Sequence, residues 1–205
     1  YSIYAAQCEF LNAQLYGVLS NPATGIHNAW MYFTDCAVET NNTATGGDGW
    51  VFTDNQGGGN TGIKLEHCWA VSNRYGIVFD GVNSSKIDNC VVHGNDRHGV
   101  WLQSEVKNVQ ITDSQIGLNS RETTATYDDV RIDAGNGNFT ITGNTFFGSA
   151  MWGETKKSNY AVNILAGASN WYIITDNLAQ SHNTIPSLYN GGTGLNTTVT
   201  DNIWG

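Results

Sequence analysis

Short runs of alternating apolar and polar residues, set off by turn residues, recur along the chain. Residues 76–95 form one complete unit, with Ile77-Val78-Phe79 and the run from Ile87 to Val92 flanking the turn Gly81-Val82-Asn83-Ser84-Ser85. Side chains of a strand alternate between its two faces, so Ile77 and Phe79 share one face and Val78 and Asp80 the other. Ile87, Cys90 and Val92 face inward. The change of parity between Ile87 and Cys90 requires a bend at Asp88-Asn89, so the unit predicts one coil of three strands.

The unit repeats. Aligning the bend gives a column of Cys8, Cys36, Cys68, Cys90, Ser114, Asn144, Asn177 and Asn202, at steps of 28, 32, 22, 24, 30, 33 and 25 residues. Two residues further on, Phe10, Val38, Val92, Ile116 and Phe146 repeat an apolar partner. Small and polar side chains at one corner, with insertions confined to turns, predict a solenoid in which each coil buries its apolar face against its neighbours. The first strands of the coils fall at 50–52, 77–79, 100–102, 130–132 and 162–164. Residues 1–48 are less regular, and the first-strand partner near 15–19 stays undecided. The return loops 72–75 and 94–98 are short; 117–128, 148–160 and 181–194 read as long. Long loops inside a compact repeat tend to carry function.

With its YGIVFDG stretch (residues 75–81) and its ITGN corner (residues 141–144), the chain resembles the right-handed parallel β-helix proteins of the pectate-lyase-like superfamily. Its Asn- and Gly-rich, Lys-poor style is most similar to the β-helical domain of bacteriophage tailspikes. The resemblance implies an all-β, single-stranded parallel β-helix of about eight three-strand coils. It also implies side-by-side packing as a homotrimer. Lyases, hydrolases, epimerases and non-catalytic adhesins share such coil patterns, so the fold does not select the chemistry.

Composition narrows the partners. The net charge is −9 with nine Lys plus Arg in 205 residues, which argues against nucleic acid. An anionic polysaccharide would be repelled too, unless a local cluster such as Arg131 or Lys156-Lys157 is aimed at it. Charged residues make up only 13%, leaving a surface of Asn, Thr, Ser, Gly and Gln that suits sugar hydroxyls. The four cysteines share the corner column, where they read as small buried free thiols rather than disulfides, although stacked neighbours are close enough to bridge. Asn144, Asn177 and Asn202 can run an amide ladder beside them. Free thiols fit assembly in a reducing cytoplasm. No apolar run reaches 18 residues, so no membrane span is expected. The sequence opens and closes inside the strand pattern, so residues 1–205 read as a single domain cut from a longer polypeptide, or one whose ends are covered by partners.

Parity places Val51, Val78, Trp101, Arg131 and Asn163 in one outward row of the first strands, with Thr53, Asp80, Gln103, Asp133 and Leu165 in the next. Trp101, Gln103 and Arg131 there suit a sugar platform, the ring stacking and the polar groups donating. Asp80 and Asp133, two coils and roughly 9.6 Å apart by strand spacing, could act as the acid and base of an inverting glycosidase. Glu154 beside Trp152 is a further candidate acid and binding pair in the loop 148–160. Asp128-Asp129 reads as a turn-capping pair, with Ca²⁺ as the alternative. His27, His67, His93 and His182 read as isolated turn or surface residues. A lyase would use His98 or Lys107 as base with Arg131 neutralising a uronate. No cofactor or metal is expected. The reading is a tailspike-like domain, on a virion tail or secreted, that binds a bacterial surface polysaccharide and hydrolyses it. A polysaccharide lyase and a non-catalytic adhesin are the alternatives.

Overall fold

The computed structural model describes residues 2–13, 15–39, 47–54, 59–148, 155–167 and 169–204. Among these residues 25 strands form three parallel sheets of ten, eight and seven strands, and there is no helix. Each coil contributes to each sheet in turn, giving a parallel β-solenoid with eight corners and about seven complete turns.

Register follows the apolar pattern. In the ten-stranded sheet Phe33, Leu65, Ile87, Ile111, Ile141 and Ile174 stack one above the next. The eight-stranded sheet stacks Val38, Ala70, Val92, Ile116, Phe146 and Ala179. The seven-stranded sheet stacks Phe52, Phe79, Leu102, Ile132 and Ile164. All are buried and together form one axial core. The period of two therefore does the sorting: a slip of one residue in any strand would turn its apolar set outward.

The bend before each corner residue is built the same way eight times. Gln7, Asp35, His67, Asn89, Asp113, Gly143, Asp176 and Asp201 all have φ between 51° and 70°. Asn and Asp tolerate this left-handed conformation better than most residues. Gly143 also leaves room for Asp113, whose Oδ1 would lie 2.4 Å from an added Cβ. The turn then aims the next side chain inward. Cys36, Cys68 and Cys90 are buried as free thiols, with their sulfurs 3.2–3.6 Å from backbone carbonyl oxygens. From the fourth corner hydrogen bonds run between coils: Cys90 N donates to Ser114 Oγ (3.0 Å), Ser114 N to Asn144 Oδ1 (2.9 Å), and Asn144 Nδ2 to Asn177 Oδ1 (3.0 Å). Asn177 Nδ2 then donates to Asn202 Oδ1 at 2.8 Å.

The first strands lie where the pattern puts them, and the undecided partner near 15–19 is the strand Tyr16–Ser20, paired with Asp48–Thr53. Some boundaries differ: the turn expected over residues 81–85 is shorter, because the strand Asn83–Asp88 already begins at Asn83. The segment expected as the long loop 181–194 contains the strand Leu188–Gly192, joined to Val162–Gly167 through a register shift between Ile164 and Gly167. The pair Gly191-Gly192 obscured its alternation, because two glycines carry no side-chain signal.

Candidate functional site

The outward row of the seven-stranded sheet comes out in the expected register: Val51, Val78, Trp101, Arg131 and Asn163 are successive partners, followed by Tyr189. Trp101 and Arg131 are therefore neighbours, one coil apart. Asp133 fastens both, since Trp101 Nε1 donates to its Oδ2 at 3.0 Å and Arg131 Nε to its Oδ1 at 2.9 Å. Asp80, opposite Thr53 in the register, accepts a bond from Ser104 N at 3.3 Å. Gln103 belongs to the coil between those of the two aspartates and is half-buried. Glu154 and Trp152 lie outside the described residues.

A second row borders the first at the strand entrances; it holds His98, the base considered for a lyase, together with Tyr75, Arg97 and Tyr127, which the sequence did not single out. Tyr75 and His98 stack at 6.1 Å, and Trp101 lies 5.0 Å from Tyr75 and 5.6 Å from His98. Tyr127 meets His98 edge-on at 5.1 Å. Arg97 lies over both tyrosines, donates to Tyr75 Oη at 3.0 Å and pairs with Glu122 at 2.6 Å. That bond to Arg97 holds the Glu122 carboxyl below its ordinary range. Arg74 grips Asp48 through two 2.7 Å bonds. All four arginines of the chain belong to this strand edge and its return loops, with Arg121 donating to Gly94 O at 2.9 Å. The Lys156 amine reaches the carbonyls of Arg121 and Glu122. The charges alternate, acid against base, so local order rather than a net positive field distinguishes this face.

Beneath the aromatic wall is a buried polar layer. His98 Nδ1 accepts a bond from Asp128 N at 2.9 Å, and burial lowers its pKa to about 3, so the imidazole is neutral at working pH with its proton on Nε2. In this arrangement His98 is a donor rather than a base. Asp128 is 1% exposed; burial raises its pKa to about 6, although Asn163 Nδ2 donates to it at 2.8 Å and Arg131 Nη1 lies 3.5 Å away. Asp128 and Asp129 are thus buried network members, not capping residues of an open turn. Lys107, the other base considered, lies in the ten-stranded sheet, opposite Asn83 and Gly137, and does not share this face with Arg131.

A second axial ladder supports the return loops. Asn73 Nδ2 donates to Asn95 Oδ1 (3.1 Å), Asn95 Nδ2 to Asn119 Oδ1 (2.8 Å), and Asn119 Nδ2 to Asp129 Oδ1 (2.8 Å). Ser158 Oγ and His182 Nε2 complete it at 2.6 and 2.7 Å from the Asp129 oxygens. His182 is fully buried rather than at the surface, because it is this terminal partner. The signal was present as Asn73-Arg74, Asn95-Asp96-Arg97 and Asn119-Ser120-Arg121, whose asparagines step by 22 and 24 residues, as the corners do. In each coil the Asn faces the ladder while the Arg that follows reaches the outer wall.

A family model described as "Right handed beta helix region" matches residues 2–185. Curated protein sequences show no match to this chain. Among solved structures, the A-module of mannuronan C-5 epimerase AlgE4 from Azotobacter vinelandii superposes with a TM-score of 0.63 at 18% identity, over 97% of this chain and 58% of that one. The A-module of AlgE6 from the same organism gives 0.53 at 17% identity, over 98% and 57%. The chain thus spans less than three fifths of either structure. At these identities the likeness concerns the fold, an architecture found in polysaccharide-acting proteins.

Proposed function

The chain belongs to the right-handed β-helix family, and on that footing we propose that it binds an acidic polysaccharide along the outer face of the seven-stranded sheet and modifies it by proton transfer. The observation that carries this reading is the juxtaposition of an aromatic wall, Tyr75, Trp101 and Tyr127, with Arg97 and Arg131 on one sheet edge. Both structural relatives are named as mannuronan C-5 epimerase modules, which supports a uronate polymer as the substrate class. Aromatic faces take the apolar side of a sugar ring. Arg131 has five N–H donors, and its contacts with Asp133 and Asp128 leave some free for a substrate carboxylate.

In the reaction this arrangement suits, Arg131 neutralises the uronate carboxylate, which acidifies the adjacent C5–H. Tyr75 Oη, which accepts a bond from Arg97, takes that proton when ionised. The electron pair then either expels the C4 oxygen, which leaves with the proton returned from Tyr75 Oη, or takes a proton from solvent on the opposite face of the ring while Tyr75 keeps the one it removed. The first outcome cuts the chain and leaves an unsaturated sugar; the second inverts C5 without cutting. Neutral His98 contributes a donor and a rigid ring behind Tyr75.

The hydrolytic version, a tailspike-like depolymerase assembled as a homotrimer and carried on a virion or secreted, would instead use Asp80 and Asp133, with Glu154 in reserve. The elimination or epimerisation version is favoured because both Asp133 oxygens are engaged by Trp101 and Arg131. Incubation with uronate polymers and with bacterial capsule in D₂O tests this, following reducing ends, ultraviolet absorbance and deuterium at C5. Deuterium at C5 or ultraviolet absorbance is expected. Reducing ends with neither would establish hydrolysis and overturn the proton-transfer reading.

A further inference from the structure

On the opposite side of the solenoid, the ten-stranded sheet carries its own column of left-handed residues at the strand entrances. In register along the axis are Trp30, Gly62, Ser84, Asn108, Asn138, Trp171 and Asn196, all with φ between 53° and 68°. Five of the seven are Gly, Ser or Asn, types that occupy this conformation at low cost or can bond locally within it. A bulky ring is a poor choice there, and local strain that persists is a pointer to function. Yet two coils use Trp, and both indoles are in the open, at 74% and 61% exposure.

Each indole sits in a groove of about 340 Å³. The first is bounded by Trp30, Tyr32, Lys64, Ser84 and Lys86, the second by Asn138, Thr140, Trp171, Ile173 and Thr198. Trp30 lies down because its neighbour in the column is Gly62, where an added Cβ would press to 3.1 Å from the ring. The lysines bordering the first groove are paired along the strand with Glu66 and Asp88 at 3.0 and 2.9 Å, so its rim offers donors and acceptors without a large net charge. Between the two indoles the outward row is Lys64, Lys86, Gln110 and Thr140. Five coils separate the indoles, about 24 Å along the axis by strand spacing.

We propose that this face is a second, non-catalytic polysaccharide-binding surface, with Trp30 and Trp171 as stacking platforms for two stretches of one glycan chain lying along the solenoid. Flat open aromatics flanked by hydroxyl, amide and paired charged groups match the alternating apolar faces and hydroxyl edges of sugars. A protein partner would more usually require a contiguous apolar patch, which this polar strip interrupts. The identity of the ligand as a glycan rests on the reading of the function above; its location does not.

The test replaces each Trp by Asn, the residue the column itself uses at three positions. Retention of wild type, Trp30→Asn, Trp171→Asn and the double variant is measured by affinity electrophoresis through gels containing sodium alginate, polygalacturonate, dextran or bacterial capsule. The double variant should keep the wild-type circular dichroism and melting temperature. It should lose roughly tenfold in affinity for the polymer while turning over short oligosaccharides as before. Unchanged retention of the double variant overturns the proposal, as does a wild type retained by none of the polymers. A change of oligomeric state with retention intact assigns the face to a protein partner and also overturns it. Retention that depends on both indoles, without any turnover, would support this surface and sink the catalytic reading instead.

Discussion

Removing the Asn144 side chain tests whether the corner ladder is a structural element or an incidental alignment. Asn144 is 1% exposed. Its Nδ2 donates to Ile111 O (2.9 Å), Thr142 O (3.1 Å) and Asn177 Oδ1 (3.0 Å), and its Oδ1 accepts from Ser114 N (2.9 Å). In Asn144→Ala the buried Ser114 N–H loses its acceptor and three acceptors lose a donor, the carbonyls of Ile111 and Thr142 and Asn177 Oδ1, which keeps the bond from Asn144 N. An unsatisfied buried group costs about 1–3 kcal/mol, and carbonyls already bonded elsewhere lose less, so the sum is about 2–4 kcal/mol. Asn144→Ser should recover part of this, because a hydroxyl at the same position already serves the previous coil, where Ser114 Oγ accepts from Cys90 N at 3.0 Å. Urea unfolding followed by tryptophan fluorescence would read the order wild type, then Ser, then Ala. An Ala variant within about 0.5 kcal/mol of wild type, the size of an ordinary surface substitution, would refute the energetic role given to the ladder.

Other expectations follow from the same network. In native protein a thiol reagent should modify Cys8 readily and reach the buried Cys36, Cys68 and Cys90 only on unfolding, with four thiols titrating in urea; a count below four would mean a disulfide. Burial raises Asp128 to about 6, so the folded state holds a proton there that the unfolded state releases from about pH 4; its contribution to stability falls as pH rises through that window and is constant above it. His98, lowered to about 3, has the opposite slope: its contribution is full above pH 6.5 and is lost as pH falls toward 3. Asp128→Asn should therefore steepen the acid loss of stability between pH 6 and 4, and His98→Gln should flatten it, as read by melting temperature against pH. Arg131→Ala should abolish turnover, whereas Asp133→Asn should lower it while leaving binding measurable, because Asp133 positions Trp101 and Arg131; equal loss of binding in both variants would argue against the division of roles.

The axial features were legible because each coil states them once. One inward residue per corner and one outward residue per first strand recur with fixed parity, so Cys90, Ser114 and Asn144, and likewise Trp101 and Arg131, could be stacked from the sequence. The wall was less legible. Tyr75, Arg97, His98 and Tyr127 come from return loops of different lengths, where parity is lost, and their neighbourhood depends on how each loop folds back. The buried asparagines were readable in principle from their steps of 22 and 24 residues, but asparagine is common in this chain and its turns. Asp128 and Asp129 read as a turn-capping pair because sequence does not show what packs over them; Asn163, Ser158 and His182, each a distant partner, change their environment. Trp30 and Trp171 gave no signal until backbone conformation placed them in one column with glycine and asparagine.

Which face of the solenoid holds the reacting sugar decides the proposed chemistry. A crystal structure of the Tyr75→Phe variant soaked with a short uronate oligosaccharide would test it most directly. The expected result is a sugar ring against Trp101 with its carboxylate on Arg131 and its C5 turned toward residue 75. Sugar bound to any other face, with the outer side of the seven-stranded sheet empty, would contradict it.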